Sequence, residues 1–265
     1  FMTFNDIKNK LKPTYKTSHD DLVNDFYNLV LSESVCYDRV TGFFNSTSLA
    51  IAASGLSQFI LNEGHMRLLC GYELDDSDLN SIENSEQLKN IIDNKFIEDI
   101  NSLEDEFTKN HVEMLGWMIA NNYLEIKIGI VQDKEISSML HSKIGIMYDE
   151  DDNIISFDGS VNETAHGWKH NIESLKVFVS WEDKKFMEDD ITYFNMDWNN
   201  QNNALKVIDI PTASKEKLIR IAPKNIEDLK IVKDTIQSNT HKRKLFKHQQ
   251  EALDAWFDND KQGII

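Results

Sequence analysis

The chain has 265 residues, 40% of them hydrophobic, and a formal net charge of −17. This length allows one or two domains with a sizeable core, and the hydrophobic fraction is that of a globular protein rather than a disordered one. No apolar run is long enough to cross a bilayer, and the first residues lack the basic and apolar regions of a signal peptide. Cys36 and Cys70 lie in apolar strand patterns without metal-ligand spacing, which is typical of a reducing compartment. We therefore expect a cytoplasmic protein that does not associate with membranes.

The charge is distributed unevenly along the chain. Residues 73–106 include 12 acidic residues and 2 lysines, whereas residues 206–247 include 11 basic and 5 acidic residues. Such runs are usually solvated faces. In a protein that binds nucleic acid, we expect the basic stretch to lie nearer the phosphates and the acidic stretch to face away.

The first half of the chain predicts helices and strands in alternation after an irregular arm over residues 1–17. Ser18 and Asp21 resemble a capping box and predict a helix that runs to Leu31. The order strand, helix, strand predicts a parallel or mixed sheet covered by helices. The next predicted strands are Val35–Phe44, Met66–Tyr72 and Leu124–Val131, and the next predicted helices span 46–61, 76–93 and 96–121.

Residues 139–181 carry polar groups at the ends of three predicted strands. His141 and Lys143 lie two apart in a strand pattern, so they project from one face. Gly159–Asn162 follows the second strand, and Asn171–Glu173 precedes the third. An imidazole beside a fixed ammonium can attack and hold a phosphodiester, because histidine is a nucleophile and lysine offsets the charge on phosphoryl oxygens.

The elements H-x-K, G-S-x-N and N-x-E, in this order, resemble the phospholipase D superfamily, in particular its nucleases with one such motif per chain. The resemblance implies an α/β fold, a mixed β-sheet flanked by helices on both faces, over residues 18–203. It implies that His141 is the nucleophile and forms a phosphohistidine, that Lys143 and Asn162 hold the phosphate, and that Glu173 orients a histidine. The family's aspartate, five residues after the lysine, is replaced here by Tyr148.

The mechanism requires two histidines, one to attack phosphorus and one to protonate the leaving oxygen. Because the chain has a single H-x-K, we expect a homodimer with a composite site on its two-fold axis. This nuclease site would need no metal and no cofactor.

Other polar groups leave alternatives open. Arg39, in the first long strand pattern, is predicted either to approach the substrate phosphate or to form a structural salt bridge. His166 and His170 have the spacing of two metal ligands on a helix, but acidic partners are not well placed. Asp149–Asp152 predicts a hairpin turn rather than a calcium loop, since the glycine and closing glutamate of an EF-hand are missing.

The last third of the chain predicts a different organisation. The polar run Asn199–Asn203 ends the predicted nuclease domain, and residues 204–240 are interpreted as a basic linker with a strand at 207–210 and a short helix within 213–229. Residues 241–265 resemble the opening of a superfamily 2 helicase core, in which Gln249 or Gln250 would read adenine. ATP and magnesium would serve only that helicase part, and a plain C-terminal helix explains the same residues.

Three functions from different classes follow from these patterns. The first is a metal-independent nuclease acting on DNA in a restriction or phage-defence setting, fused to a helicase. The second is a silent DNA-binding or dimerisation module, which the acidic charge and Tyr148 favour. The third is a lipid-headgroup phosphodiesterase, which the lack of a basic amphipathic stretch disfavours.

Overall fold

The computed structural model describes residues 3–53, 55–73, 85–131, 140, 143–159 and 174–233. Its strands are β1 (Thr14–Lys16), β2 (Cys36–Thr41), β3 (His65–Gly71), β4 (Leu124–Val131), β5 (Ile144–Tyr148), β6 (Ile154–Gly159), β7 (Ser174–Val179) and β8 (Leu205–Asp209). Its helices are α1 (Phe4–Ile7), α2 (Asn28–Leu31), α3 (Ser46–Ala52), α4 (Leu56–Leu61), α5 (Ser85–Asn101), α6 (Glu106–Ala120), α7 (Lys184–Trp198) and α8 (Thr212–Ile221).

The described strands form one mixed sheet in the order β1–β7–β6–β5–β2–β3–β4–β8. β2, β3 and β4 are parallel to one another, and β5, β6, β7 and β1 continue from β2 in antiparallel pairs. β8 is antiparallel to β4 at the other side. The predicted α/β class with a mixed sheet is confirmed.

Helices cover both faces of the sheet, as predicted. The larger core lies on one face and includes Phe26, Phe157 and Leu68, packed beneath α1 to α6 and α8. The smaller core lies on the other face, where Phe194 and Trp198 of α7 pack on Leu69 and neighbouring residues. β3 reads H-M-R-L-L-C-G because a central strand is buried on both faces and cannot alternate with polar residues.

The irregular arm predicted for residues 1–17 is wrong. Thr14–Lys16 pairs antiparallel with β7 as an edge strand, and Phe4 and Tyr15 are fully buried. The next helix begins later than predicted, as a π-helical segment Leu22–Tyr27 that runs into α2. The side chain of Asp21 caps this segment by accepting a hydrogen bond from the backbone N–H of Asn24, 3.2 Å away.

The linker predicted from residue 204 is also wrong for its described part. β8 completes the sheet beside β4. α8 packs closely against α6 at Gly116. A Cβ at this position would lie 2.1 Å from the carbonyl oxygen of Leu218, so the contact requires a glycine. Residues 234–265, with the predicted helicase opening, lie outside the described residues.

Two long helices replace the predicted pair, with their boundary shifted. The structure has α5 over Ser85–Asn101 and α6 over Glu106–Ala120, so the break falls after residue 101 instead of near 94. The carboxylate of Asp105 sets the start of α6 by accepting from the backbone N–H of Thr108 at 2.7 Å. Neither these nor the other described helices are long and apolar enough to cross a membrane.

Candidate active site

The described residues next to the H-x-K, G-S-x-N and N-x-E elements all lie at one end of the sheet. The parallel strands β2, β3 and β4 end there, β6 ends there at Gly159, and β5 and β7 begin there. We call this the site end, and the other the opposite end. Lys143 directly precedes β5, and Ser174, the residue after Glu173, begins β7. The carboxyl ends of parallel strands are where open α/β sheets usually bind ligands.

Lys143 is buried at the site end, with 3% of its surface exposed. Pairing within the sheet places Gly145 opposite Arg39 and Ile144 opposite Asp158. Continuing this register by one or two residues brings Lys143 alongside Gly159 on β6 and Thr41 on β2. A cation held there acts in a low-dielectric setting, where it interacts with an anion more strongly than in water.

Arg39 and Thr41 occupy the same face as Lys143, because residues two apart on β2 and residues paired across strands share a face. The guanidinium of Arg39 lies over the ring of Phe157, with 4.8 Å between its central carbon and the ring centroid. Both Arg39 and Thr41 are buried. The predicted contact of Arg39 with a phosphate stays untested. The structure places Arg39 in the larger core, on the same face as Lys143 and two residues further from the site end than Thr41.

Thr41 was not singled out by the sequence analysis. Its Oγ1 is buried and has no hydrogen-bond partner among the described residues, and the same holds for Oγ of Ser46, five residues on. Buried hydroxyls without a partner are unusual. The sequence V-T-G-F-F does not indicate that the hydroxyl of this threonine is buried, so sequence reasoning could not identify it.

His141, Asn162 and Glu173 lie outside the described residues. The structure therefore tests none of their predicted roles. The nearest described residues are Leu140 and Lys143 around His141, and Gly159 and Ser174 around Asn162 and Glu173. His166 and His170 also lie outside, and the described residues contain no group of three or more metal-ligating side chains.

Glycines at the site end let Leu140 lie close to the sheet. Gly42, Gly71 and Gly129 form a row, since Gly71 pairs with Gly129 and follows Cys70, the partner of Thr41. A Cβ at Gly71 would lie 2.3 Å from the carbonyl oxygen of Gly42 and 3.1 Å from Cβ of Leu140. A larger residue at Gly71 would therefore require the backbone at Gly42 to move.

Tyr148, at the position where the resembled family has an aspartate, lies far from the site end. Tyr148 ends β5, five residues from Lys143, or about 17 Å along a strand. Its hydroxyl donates to Asp38 at 3.4 Å, and burial together with this carboxylate raises the pKa of Tyr148, so the hydroxyl remains protonated. The substitution therefore leaves the chemistry of the site end untouched.

Asp149 provides a buried carboxylate beside that position. It accepts hydrogen bonds from the backbone N–H groups of Asp151 and Asn153, at 3.0 and 2.8 Å, and from that of Phe4 at 2.8 Å. The carboxylate thus fixes the hairpin turn between β5 and β6 and attaches α1 to it. The predicted hairpin turn is confirmed.

Asp38 and Arg67 form a paired charge at the opposite end. Arg67 donates from Nε and Nη2 to the two oxygens of Asp38, at 2.7 and 2.6 Å. The rings of Phe194 and Trp198 lie 4.9 and 5.5 Å from its guanidinium carbon. The hydrogen bonds to Asp38 raise the pKa of Arg67. The pair also borders a cleft of ≈ 440 Å³ at this end.

No protein-family model and no curated protein matches the sequence. Among solved structures, the chain is similar to NucT from Helicobacter pylori, with 12% identity, a TM-score of 0.39, and coverage of 69% of this chain and 92% of NucT. It is similar to Nuc from Salmonella typhimurium, a phospholipase D family member, with 11% identity, a TM-score of 0.37, and coverage of 74% and 96%.

A third similar structure is phosphatidylserine synthase from Haemophilus influenzae, with 12% identity and a TM-score of 0.42. The match covers 86% of this chain but 45% of the synthase. Likeness at these values assigns no residue role to this chain, and its own residues carry the functional argument.

Proposed function

We propose that the chain is a metal-independent phosphodiesterase that cleaves DNA through a phosphohistidine intermediate. The observation that carries this proposal is the buried Lys143 at the site end, next to the described border of the G-S-x-N element on β6, with the border of the N-x-E element on β7 one strand further away. An ammonium fixed at a strand end and shielded from water stabilises charge that develops on a phosphoryl oxygen. The burial of Lys143 at this position therefore supports phosphoryl transfer at the site end.

In the proposed reaction, the imidazole of His141 attacks phosphorus in line, so a P–N bond forms while the P–O bond to the leaving group breaks. The partner subunit's His141 protonates the leaving oxygen, then takes a proton from the water that displaces the histidine. Lys143 and Asn162 offset charge on the equatorial oxygens, and Glu173 orients a histidine. Each subunit supplies the same four residues, and no metal takes part.

The test is cleavage of single- and double-stranded DNA in excess EDTA by the unaltered chain and by His141→Ala at equal concentration. We expect cutting that survives EDTA and disappears in the variant. Cutting that requires a divalent cation, or that persists in His141→Ala, would contradict the mechanism.

The composite site has its own test, a titration of the unaltered chain with His141→Ala after subunit exchange. If both histidines are needed, a 1:1 mixture has about a quarter of the activity of the unaltered chain at the same total concentration, because only one dimer in four carries two histidines. Independent sites would retain about half. Full activity in a species shown to be monomeric by light scattering would exclude the shared site.

One alternative is a catalytically silent DNA-binding or dimerisation module. The net charge of −17 favours its dimerisation role, because negative charge weakens attraction to phosphates. Salt-dependent DNA binding without cleavage, in the full-length protein supplied with ATP, would favour the module.

The proposed setting is the nuclease part of a nuclease–helicase fusion in restriction or phage defence. It depends on the sequence of residues 241–265 alone. ATP-stimulated cleavage by the full-length protein would support it, and cleavage indifferent to ATP would oppose it.

A further inference from the structure

A cleft of ≈ 260 Å³ opens at the site end, where β2 and β3 finish. Its volume is below the 300–1,000 Å³ that is usual for drug-sized ligands, so it suits a single ring system. The lining side chains that bear on its chemistry are Phe43, Tyr72, Glu73, Lys95, Phe96 and Asp99.

The cleft lies beside the part of β2 that faces Lys143. Gly71 and Phe43 line it, and both are neighbours of Thr41, since Gly71 follows Cys70, the partner of Thr41 on β3, and Phe43 lies two residues after Thr41. Continued register places Thr41 alongside Lys143. A group in the cleft would therefore be near a phosphate held by Lys143.

The walls of the cleft are aromatic and rigid. Phe44 stacks on Phe96 with ring centroids 4.3 Å apart and planes 22° from parallel, and both rings are buried. Phe43, beside them, is only half-buried and lines the opening. Flat apolar walls of this kind favour a planar ligand, since aromatic groups stack well in offset arrangements.

The polar groups of the cleft distinguish between ligands. Asp99 is held in place by the backbone N–H of Ser46, which donates to its Oδ2 at 2.6 Å. Together with Glu73 it gives two carboxylates against one ammonium, that of Lys95. This balance disfavours a phosphate inside the cleft. It favours a group with N–H donors, because carboxylates accept hydrogen bonds from the exocyclic amino groups of bases.

We propose that the cleft binds an amino-bearing nucleobase (cytosine, adenine or guanine) next to the phosphodiester that is cut. This inference rests on the proposed function and deepens it. A space for one ring system admits a single base and not a base pair, so the substrate is single-stranded at this position or presents an unstacked base. Phe43 stacks on the base, and the carboxylates accept from its amino group.

The test measures binding and cleavage of a short single-stranded oligonucleotide and of the same oligonucleotide with abasic sites on each side of one phosphodiester. Binding is measured by fluorescence anisotropy in the His141→Ala background, which prevents cutting. We expect the abasic oligonucleotide to bind about 10- to 100-fold more weakly, the range for loss of one stacked base. In an otherwise unaltered chain, Phe43→Ala should lose cleavage of the normal oligonucleotide by a similar factor, and Phe43→Tyr should restore it.

Phe186→Ala is the matched control, because Phe186 is an aromatic residue of α7, on the other face of the sheet, with 61% of its surface exposed. It should change neither measurement. Equal binding of the normal and abasic oligonucleotides, or unchanged cleavage by Phe43→Ala, would overturn the nucleobase site while leaving the phosphodiesterase intact.

If the unaltered chain cuts neither oligonucleotide, the proposed function fails, and the cleft is tested by its affinity for cytidine and adenosine monophosphates. Binding of these that Phe43→Ala weakens would support the base site independently. No binding, or tighter binding of phosphocholine than of either nucleotide, would overturn it, the latter in favour of a cationic headgroup.

Discussion

The two ends of the sheet hold their buried polar groups in different ways. At the opposite end, both oxygens of Asp38 accept from Arg67, and Asp149 accepts from three backbone N–H groups. At the site end, Lys143 is buried, and the buried hydroxyl of Thr41 has no hydrogen-bond partner among the described residues. Buried polar groups that are hydrogen-bonded stabilise the fold, whereas a buried hydroxyl without a partner weakens it and is typical of a functional site. The comparison therefore predicts opposite consequences of substitution at the two ends.

The largest effect is expected for Lys143→Met. The variant removes the ammonium but keeps most of the volume, so we expect cleavage to fall about 10²- to 10³-fold while the chain stays folded. The measurement is kcat at saturating substrate, with thermal unfolding as a check. Lys127→Met is the control, because Lys127 is a strand lysine whose ammonium lies over Trp198 at 4.6 Å, beneath α7. Equal losses in the two variants would contradict a special role for Lys143.

Arg67→Met should produce the reverse pattern. It leaves Asp38, which is 4% exposed, without its cation, so we expect the free energy of unfolding to fall by about 2–3 kcal/mol. Cleavage per folded molecule should not change. Urea unfolding measures the loss, and Asp38→Asn combined with Arg67→Met should recover part of it. A folded Arg67→Met protein without activity would end the distinction between the two ends.

Thr41→Val tests the difference between the two ends at a single hydroxyl group. Removing a buried hydroxyl that has no partner should raise the free energy of unfolding by about 1 kcal/mol. Thr108→Val is the matched control, since Thr108 is also buried but its hydroxyl donates to Asp105 at 2.6 Å. The control should be destabilised by about 1 kcal/mol. Destabilisation of both variants would indicate that the Thr41 hydroxyl is paired in solution.

The smallest effect is expected for Asp190, a half-buried residue of α7. Its carboxylate accepts a hydrogen bond from a hydroxyl group. Ser156 donates to it at 2.9 Å, but burial is the stronger influence and raises the pKa of Asp190 above 3.8. The folded state thus favours the protonated form. Its contribution to stability is fully present below pH 3.8 and is lost as pH rises through the folded pKa.

We expect Asp190→Asn to be more stable than the unaltered chain at pH 7, by about 0.5 kcal/mol or less, and no more stable at pH 3. Urea unfolding at the two pH values measures this difference. A variant that is less stable at pH 7 would show that the ionised carboxylate is favoured in the fold.

Sequence reasoning identified the elements that are locally determined. The strand Leu124–Val131 alternates clearly and was predicted with its observed bounds, and the turn before Ile154 follows from its aspartates. β1 was missed because three residues, Thr14–Lys16, give no periodic signal and become a strand only by pairing with β7. β8 was predicted as a strand, but its place beside β4 depends on tertiary packing, so the predicted linker was wrong.

The candidate site was predictable in its residue types but not in its surroundings. The sequence identified Lys143 through H-x-K, and the structure adds its burial and the position of Thr41 on the same face. These properties depend on which strand lies beside β5, and pairing between distant segments is not encoded in local pattern. The cleft likewise is formed by three segments that are distant in sequence, 43–45, 71–73 and 95–99.

In the proposed reaction, His141 forms a covalent bond to phosphorus. The most direct measurement is denaturing electrophoresis, without exposure to acid, of the protein quenched during turnover of DNA labelled with ³²P at internal phosphates. We expect a protein-bound label that is stable in base, lost in mild acid and absent from His141→Ala. A chain that cuts the DNA in EDTA without ever carrying the label, or a label that persists in His141→Ala, would contradict it.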